Sequence, residues 1–152
     1  MIKFKYICGQ DGYEQAKDLR YRILNDEMGF SEAADEHEKD AIHIIGREND
    51  VPMCYGRLYK IADYTFIIDK ICVKKEDRLQ YVGDTILRAL EDRAVSEIGI
   101  FIYVTSPAES KEFFLHEGYV ELDEQYEQNG KNFTKMKKDL TKVRGCRGGC
   151  HK

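Results

Sequence analysis

One segment of the 152-residue sequence has the arrangement of an anion-binding site. A continuous apolar run ends at Val73, and a charged stretch leads from there into helical periodicity that starts at Val82. A helix N-terminus presents N–H groups without intrahelical partners and the positive end of the helix dipole, so it attracts phosphate. Gly83 would let such a ligand approach the backbone closely. Most strand-to-helix turns bind nothing, so a purely structural connection stays open for the turn taken alone.

A second candidate is a carboxyl group inside an apolar strand. Residues 64 to 73 are nearly all apolar, as expected of a strand buried on both faces, and only Asp69 and Lys70 interrupt the run. Alternation along a strand would point these two side chains to opposite faces. Burial should raise the pKa of the Asp69 carboxyl, and a charge there needs a partner or a purpose. Asp69 is therefore either a reactive group or the structural partner of Lys70, Arg57 or another cation.

Two clusters of possible metal ligands are weaker candidates. Cys146, Cys150 and His151 lie within six residues, but a structural zinc site normally takes four ligands and the sequence offers no second pair. We expect no metal site there, although adventitious metal binding or a reducible Cys146–Cys150 link stays open. The acidic stretch from Asp35 to Asp40 is expected to be a solvated face or an acceptor-facing loop. Three further cysteines in apolar segments are expected to be small buried hydrophobic residues, namely Cys8, Cys54 and Cys72.

The elements that must position these residues follow from periodicity and turn signals. Asp11 and Glu14 have the spacing of a capping box, so Asp11 is the predicted N-cap of the first helix and Gly29 its end. Pro107 is expected to open the last helix. The predicted order is a strand over 3–8, the first helix, strands over 41–47, 51–60 and 64–73, a helix over 82–97, a strand over 100–104, a helix ending at Gly118, and a hairpin over 119–126 and 132–140.

This order predicts an α/β (α+β) domain. A strand–helix–strand unit requires a right-handed parallel crossover, whereas the neighbouring hairpins are antiparallel. We therefore expect a mixed, mostly antiparallel sheet of six to seven strands, with a central parallel strand–helix–strand unit and helices on both faces. The domain should span residues 1–140. Residues 141–152 form a basic tail rich in Cys and Gly that is expected to be disordered.

Composition excludes several classes of function. Hydrophobic residues make up 42% and charged residues 34%, which is typical of a globular domain. The net charge of −4 gives no reason to expect nucleic acid or an anionic membrane as a partner. The N-terminal residues lack the apolar core of a signal peptide, and no apolar run reaches membrane-spanning length. A cytoplasmic protein is therefore expected.

Several of these segments resemble the GNAT acetyltransferases. In that family Arg/Gln-x-x-Gly-x-Gly/Ala follows the fourth strand and holds the coenzyme A pyrophosphate. Val73 and Arg78 keep the family's spacing and Gly83 takes the last position, whereas Tyr81 stands where the first glycine is usual. The order of elements is also similar to the GNAT fold. Glu112–Tyr119 resembles a motif that occurs late in the family's sequences. Three further segments resemble one branch of the family, namely Leu19–Arg20 to Glu38, Asp40–His43 and Gly56–Arg57.

The resemblance implies a set of site residues and a cofactor, acetyl-CoA. Asp69 stands where the family's general base is common, four residues before Val73. Phe114 stands where a tyrosine usually protonates the coenzyme thiolate, so water or another tyrosine would have to replace it. The residues implied to bind the coenzyme are Ile71, Cys72, Val73, Arg78, Leu79, Gln80, Tyr81, Val82, Gly83, Asp84, Thr85 and Ser106.

The resemblance therefore implies an enzyme, an N-acetyltransferase that moves an acetyl group from acetyl-CoA to an amine. The acceptor, a small molecule or a peptide, is not identified by the sequence, and a homodimer stays open. Two alternatives also remain. The first is a non-catalytic acyl-CoA-binding regulatory protein on the same fold, which Phe114 favours. The second is a metal- or redox-responsive interaction module that acts through the cysteine-containing tail.

Overall fold

A computed structural model describes residues 1–75, 82–128 and 130–141. A π-helical segment over Tyr21–Glu27 continues the first helix, and a 3-10 turn over Ala108–Ser110 precedes the third helix. A further 3-10 turn spans Glu38–Asp40. In chain order the elements are β1 (Lys3–Cys8), α1 (Gln10–Arg20), β2 (Ile42–Glu48), β3 (Val51–Ala62), β4 (Thr65–Val73), α2 (Val82–Ser96), β5 (Phe101–Pro107), α3 (Lys111–His116), β6 (Val120–Gln128) and β7 (Lys131–Asp139).

The strands form a seven-stranded sheet in the order β1-β2-β3-β4-β5-β7-β6. The pairs β1–β2, β2–β3, β5–β7 and β6–β7 are antiparallel, and β4 pairs with β5 in parallel. The parallel register joins Thr65 to Phe101, Phe66 to Ile102 and Ile67 to Tyr103. The predicted fold class, a mixed and mostly antiparallel α/β sheet with one parallel unit, is confirmed.

The start of α1 differs from the predicted capping box. The N-cap position is Gly9, whose φ of 82° favours glycine, and Asp11 lies inside the first helical turn. There the Asp11 carboxylate accepts a hydrogen bond from Gln15 at 3.1 Å, while Glu14 pairs with Lys17 at 2.9 Å. The helical segment ends before Gly29, which has a φ of 78°, as the sequence predicted.

The chain forms two compact units, each with its own buried residues. The first comprises Met1–Tyr59 and Ile68–Asp92, and the second comprises Lys60–Ile67 with the described residues from Arg93 onward. The core of the first unit includes Ile7, Ala16, Leu19, Ile23, Leu24, Ile45, Tyr55 and Cys72, with Met28 and Phe30 packed against it. Buried residues of the second unit include Phe66, Ile102, Val104, Phe114, Tyr119, Met136 and Leu140.

Two smaller expectations are corrected by the structure. Cys54 and Cys72 are buried as predicted, but Cys8 is exposed because Ile7 is the buried position of β1. Pro107 does not open a helix. It ends β5 with a ψ of 157°, and the 3-10 turn before α3 begins after it.

A close approach between α1 and β2 fixes how the first helix packs. A Cβ atom added to Gly12 would overlap the His43 ring and would lie 2.6 Å from His43 Cβ. Both ring nitrogens of His43 are within hydrogen-bond distance of fixed groups, so the ring cannot move aside. Glycine is therefore required at this helical position by packing rather than by backbone conformation.

We predict that Gly12→Ala destabilises the protein, although alanine is the better helix former. The gain in helix propensity is about 1 kcal/mol, whereas overpacking costs about 1–3 kcal/mol and here meets an immobile ring. The free energy of unfolding from urea titration should fall by up to about 2 kcal/mol. Gly56→Ala is the matched control, since its Cβ would meet only the end of an apolar side chain, Leu90 Cδ1 at 2.5 Å, which no hydrogen bond holds, and it should cost less. A Gly12→Ala protein as stable as wild type would contradict this packing.

Candidate functional site

The guanidinium of Arg57 is the centre of a set of ion pairs in the first unit. It is 1% exposed, and its five N–H groups all face carboxylates. Nε and Nη2 donate to the two oxygens of Asp69 at 2.8 and 2.7 Å. Nη1 and Nη2 donate to the two oxygens of Asp35 at 2.7 and 3.1 Å, and Nη1 also lies 3.1 Å from Glu38 Oε2. The planar fork therefore orients two aspartates at once.

A second buried arginine, Arg20, is joined to the first through Glu38. Nη1 and Nη2 of Arg20 donate to the two oxygens of Glu38, both at 2.9 Å. Nε and Nη2 pair with Glu32 Oε2 at 2.8 and 2.7 Å, and Nη1 donates to the Tyr55 hydroxyl at 3.2 Å. Glu38 is fully buried, so it bridges both arginines without contact with water.

Charge is nearly balanced within this set, which we call the ion network. Lys70 completes it by pairing with Glu32 Oε1 at 2.9 Å. Three cations face four carboxylates, so the formal charge is 3 − 4 = −1. The members of the ion network are Arg20, Glu32, Asp35, Glu38, Arg57, Asp69 and Lys70.

The pKa shifts of Arg57, Glu38 and Asp35 agree with their ionisation near neutral pH. Burial alone would lower the pKa of the Arg57 guanidinium, but its hydrogen bonds to Asp69 and Asp35 outweigh burial and raise it. Burial alone would raise the pKa values of Glu38 and Asp35, but their arginine partners hold both below the usual range. Leaving one such charge without its partner costs about 3–5 kcal/mol. Removal of a buried member of the ion network should therefore destabilise the protein.

Asp69 lies at the outer edge of the ion network, and the sequence argument about it is partly wrong. Its side chain is 28% exposed and Arg57 supplies its counter-charge, so the carboxylate is neither isolated nor in an apolar setting. Lys70 has a φ of 57°, which interrupts the regular alternation of β4. The side chains of Asp69 and Lys70 consequently join the same ion network instead of pointing to unrelated surroundings.

His43 connects the ion network to the packing of α1. Its Nε2 faces the backbone carbonyl of Glu38 at 3.1 Å, and a carbonyl can only accept, so Nε2 carries the proton. Nδ1 then accepts from the Tyr55 hydroxyl at 2.7 Å. Burial lowers the pKa of His43, so the imidazole is neutral at neutral pH. Burial also raises the pKa of the Tyr55 phenol, which keeps it a hydrogen-bond donor.

Two aromatic rings lie beside the exposed edge of the ion network. His37 stacks on Tyr59 with ring centres 4.2 Å apart and planes inclined by 12°. The Arg57 guanidinium carbon is 5.2 Å from the Tyr59 ring centre. Burial, with Asp69 next in importance, raises the pKa of Tyr59 to about 12, so its hydroxyl stays protonated at neutral pH. This edge therefore combines carboxylates with a neutral phenol.

The acidic stretch before β2 is only partly the solvated face that the sequence suggested, since Glu36, Lys39 and Asp40 are exposed. Glu38 is fully buried, and Asp35 binds Arg57. Over residues 1–75, 82–128 and 130–141, no group of three or more His, Cys, Asp and Glu side chains is arranged to hold a metal ion. The helices in the same part of the chain include none that is long and apolar enough to span a membrane.

Comparison with known proteins decides the family. The family model described as an acetyltransferase (GNAT) domain matches residues 11–140, which is most of the chain. The chain belongs to the GNAT N-acetyltransferases. Its residues 11–140 contain the whole ion network, α2 and β5.

Individual relatives agree with this assignment. The acetyltransferase is 28% identical over 116 residues to YjcF of Bacillus subtilis (strain 168), named an uncharacterized N-acetyltransferase, and the match covers 73% of this chain and 82% of YjcF. Its fold is similar to the crystal structure of Escherichia coli ElaA, with a TM-score of 0.81, 20% identity and coverage of 91% and 100% of the two chains. An acyl-CoA N-acyltransferase from Pseudomonas aeruginosa gives a TM-score of 0.78 at 16% identity, with coverage of 91% and 99%.

The residues implied to bind coenzyme fall partly inside the described chain. Ile71, Cys72 and Val73 form the end of β4, with Cys72 and Val73 buried. Val82 is buried at the first position of α2, and Gly83 and Asp84 follow half-exposed, with Thr85 exposed. Four residues of the predicted loop lie outside the described residues, namely Arg78, Leu79, Gln80 and Tyr81.

The remaining predicted residues of the acetyltransferase have different surroundings. Ser106 is fully buried in β5, and its hydroxyl donates to the Pro107 carbonyl at 2.8 Å. Phe114 is buried in α3 and packs edge-on against Phe113 and Tyr119, with ring centres 5.2 and 5.4 Å away. The possible metal ligands of the tail, Cys146, Cys150 and His151, lie outside the described residues.

Sequence reasoning identified Asp69 and offered Arg57 as one of its structural partners, a pair that the structure confirms, but it missed the rest of the ion network. One signal was available at Arg20, because it follows Ala16 by four positions and so falls on the buried face of α1. Arg57 lies in a run of β3 in which residues 54–58 are all buried. An arginine at an apolar position of each of two elements predicts a carboxylate partner, but the pattern does not say which one.

We predict that His43 makes the protein less stable as pH falls below about 6.5, the usual pKa of histidine. Its folded pKa is depressed, so the unfolded chain binds more protons, and stability present above that pH is lost below it. The carboxylates Asp35 and Glu38 follow the same sign but act only near pH 4. Melting temperatures measured from pH 7.5 to 5.0 should decline for wild type and decline less for His43→Gln. Equal slopes for the two proteins would refute this role.

Proposed function

We propose that this protein transfers an acetyl group from acetyl-CoA to a primary amine. In this proposal the Asp69 carboxylate binds the acceptor nitrogen and takes its proton. The observation that carries this proposal is the position and pairing of Asp69. Its carboxylate is partly exposed, is bound by the buried Arg57, and lies on β4 two residues before the segment Ile71–Val73. Family membership and the element order around α2 support the coenzyme.

The described residues around the start of α2 fit a pyrophosphate. Gly83 and Asp84 are half-exposed in the first turn of a 15-residue helix, where backbone N–H groups have no intrahelical acceptor. The carboxylate of Asp84, which would repel an anion, is paired with Arg88 at 3.2 Å. Over residues 74–88 the sequence has four Lys and Arg and three Asp and Glu residues, so the formal charge is 4 − 3 = +1. The sign of this charge suits a phosphate group.

The proposed chemistry requires little from the protein beyond placement and proton removal. Acetyl-CoA supplies a thioester whose acetyl carbon accepts an amine. The acceptor nitrogen bonds to that carbon, the carbon–sulfur bond breaks, and one proton must leave the nitrogen. The Asp69 carboxylate can hold the acceptor nitrogen by a hydrogen bond and receive or relay this proton. The proton for the departing sulfur would come from solvent or from the phenol of Tyr59, which lies beside this edge and is neutral at neutral pH.

Asp69→Asn tests the acceptor half of the proposal. The amide keeps the shape of the side chain but cannot take a proton, so turnover should fall about 10²–10⁴-fold while coenzyme affinity is retained. Thiol release from acetyl-CoA would be measured with a diamine, a lysine-containing peptide and a peptide with a free N-terminus.

Asp35→Asn is the matched control for Asp69→Asn. Asp35 shares Arg57 with Asp69 and has a similar exposure, 31%, but it lies outside β4. It should lose no more than about tenfold, because it is not assigned to the reacting nitrogen. If Asp69 has only a structural role, Asp69→Asn should lower the melting temperature. Activity would then fall only in proportion to the fraction of folded protein. Wild-type turnover in a stable Asp69→Asn protein would exclude Asp69 from the reaction.

Gly83→Val tests the coenzyme half independently of any acceptor. A β-branched side chain in the first turn of α2 would keep phosphate away from the backbone N–H groups. Affinity for coenzyme A, measured by calorimetry, should fall by about 1–3 kcal/mol, the value of one set of charge-assisted hydrogen bonds. Gly83→Ala, which adds a single methyl group, should lose less. Unchanged affinity in Gly83→Val would place the pyrophosphate elsewhere.

A further inference from the structure

We propose that Arg57 is the positioning residue for Asp69, and that buried Glu38 fixes Arg57 in turn. The inference rests on the proposed function, because it takes Asp69 as the group that faces the acceptor nitrogen. It adds that the orientation of Asp69 is set from the interior of the first unit rather than by β4 alone.

The geometry of the hydrogen bonds carries the inference. Both oxygens of Asp69 are bound side-on by Nε and Nη2 of Arg57 at 2.8 and 2.7 Å, so rotation of the carboxylate would break two bonds together. Arg57 cannot turn with it, because its opposite edge is bound to both oxygens of Asp35. Rotation about that edge is further opposed by Glu38, 3.1 Å from Nη1.

Glu38 is itself immobile for reasons unrelated to Asp69. Arg20 binds both of its oxygens at 2.9 Å, and the backbone N–H of Asp35 donates to Oε2 at 3.3 Å. The side chain is fully buried and carries a charge, so any displacement would leave two arginines partly unpaired. The orientation of Asp69 is thereby determined by a rigid series of ion pairs.

A charge-conserving substitution separates orientation from electrostatics. Lysine keeps the positive charge of Arg57, but all three of its donors are on one nitrogen. It therefore cannot form two parallel hydrogen bonds to Asp69 and two more to Asp35 at the same time. Arg20 is the comparison variant, because it is equally buried and shares Glu38. Among the described residues its side chain contacts Tyr13, Glu32, Glu38 and Tyr55, so it acts on Asp69 only through Glu38 and Arg57.

The experiment compares steady-state kinetics of Arg57→Lys and Arg20→Lys with acetyl-CoA and the same three amines. Arg57→Lys should lower kcat about 10- to 100-fold, because misplacement of a reacting group by about 1 Å has that effect. The KM for acetyl-CoA should change less than about threefold. Arg20→Lys should lower the melting temperature comparably but lower kcat less than Arg57→Lys does, by less than about tenfold, because it reaches Asp69 only through Glu38 and Arg57. Arg57→Lys in the Asp69→Asn background should be no slower than Asp69→Asn alone, because the two changes remove the same contribution.

Three results would overturn the inference. They are an unchanged kcat in Arg57→Lys, equal losses of kcat in Arg57→Lys and Arg20→Lys, or a further loss in the double variant. If Arg57→Lys does not fold, Asp35→Asn replaces it, since it removes one of the two acceptor oxygens and the charge from that edge of Arg57 and leaves both bonds to Asp69. A kcat lowered about three- to tenfold in Asp35→Asn supports positioning, and an unchanged kcat refutes it.

Failure of the inference and failure of the proposed function give different patterns. A fully active Asp69→Asn protein removes Asp69 from the reaction, so the proposed role of its carboxylate fails. A slow Asp69→Asn protein together with a fast Arg57→Lys protein leaves that role in place and removes only the positioning by Arg57.

Discussion

Two arginine side chains without access to water impose the main constraint on the first unit. Transfer of such an ion from water costs several kcal/mol, which is comparable to the whole stability of a typical domain, about 5–15 kcal/mol. Arg20 and Arg57 can be buried only because every donor of each has an acceptor. This requirement brings together α1, the loop before β2, β3 and β4.

The same requirement produces the candidate site. Carboxylates that face inward, such as Glu38, neutralise the arginines and are unavailable to a ligand. Those at the outer edge, Asp35 and Asp69, are paired and still about 30% exposed, so a ligand can reach them in a fixed orientation. The proposed coenzyme site at the start of α2 depends on a different interaction. There the backbone N–H groups can bind a phosphate because they have no intrahelical acceptor and a small residue leaves room. The proposed reaction uses both the Asp69 carboxylate and this helix end.

Features that depend on neighbouring residues could be predicted from the sequence, whereas contacts between residues far apart in the chain could not. Periodicity predicted most element bounds to within a few residues, since amphipathic faces are encoded nearby in the chain. The predicted N-cap of α1 was wrong, because Gly9 occupies the position that Asp11 was expected to fill. Asp69 was identifiable as a charge in an apolar strand. Arg57 was one of the partners that the sequence offered for it. The second carboxylate on Arg57 comes from a loop residue 34 positions earlier, Asp35, and no local pattern specifies that contact.

The most direct test of the account is a crystal structure with acetyl-CoA bound, in which the distance from the Asp69 carboxylate to the thioester carbonyl carbon is measured. An acceptor nitrogen between them needs about 3 Å on one side for a hydrogen bond and about 3–3.5 Å on the other for attack. The account predicts a separation of about 7 Å or less, with the side-on pair between Arg57 and Asp69 intact. A separation beyond about 10 Å, too long even with one bridging water, would contradict it.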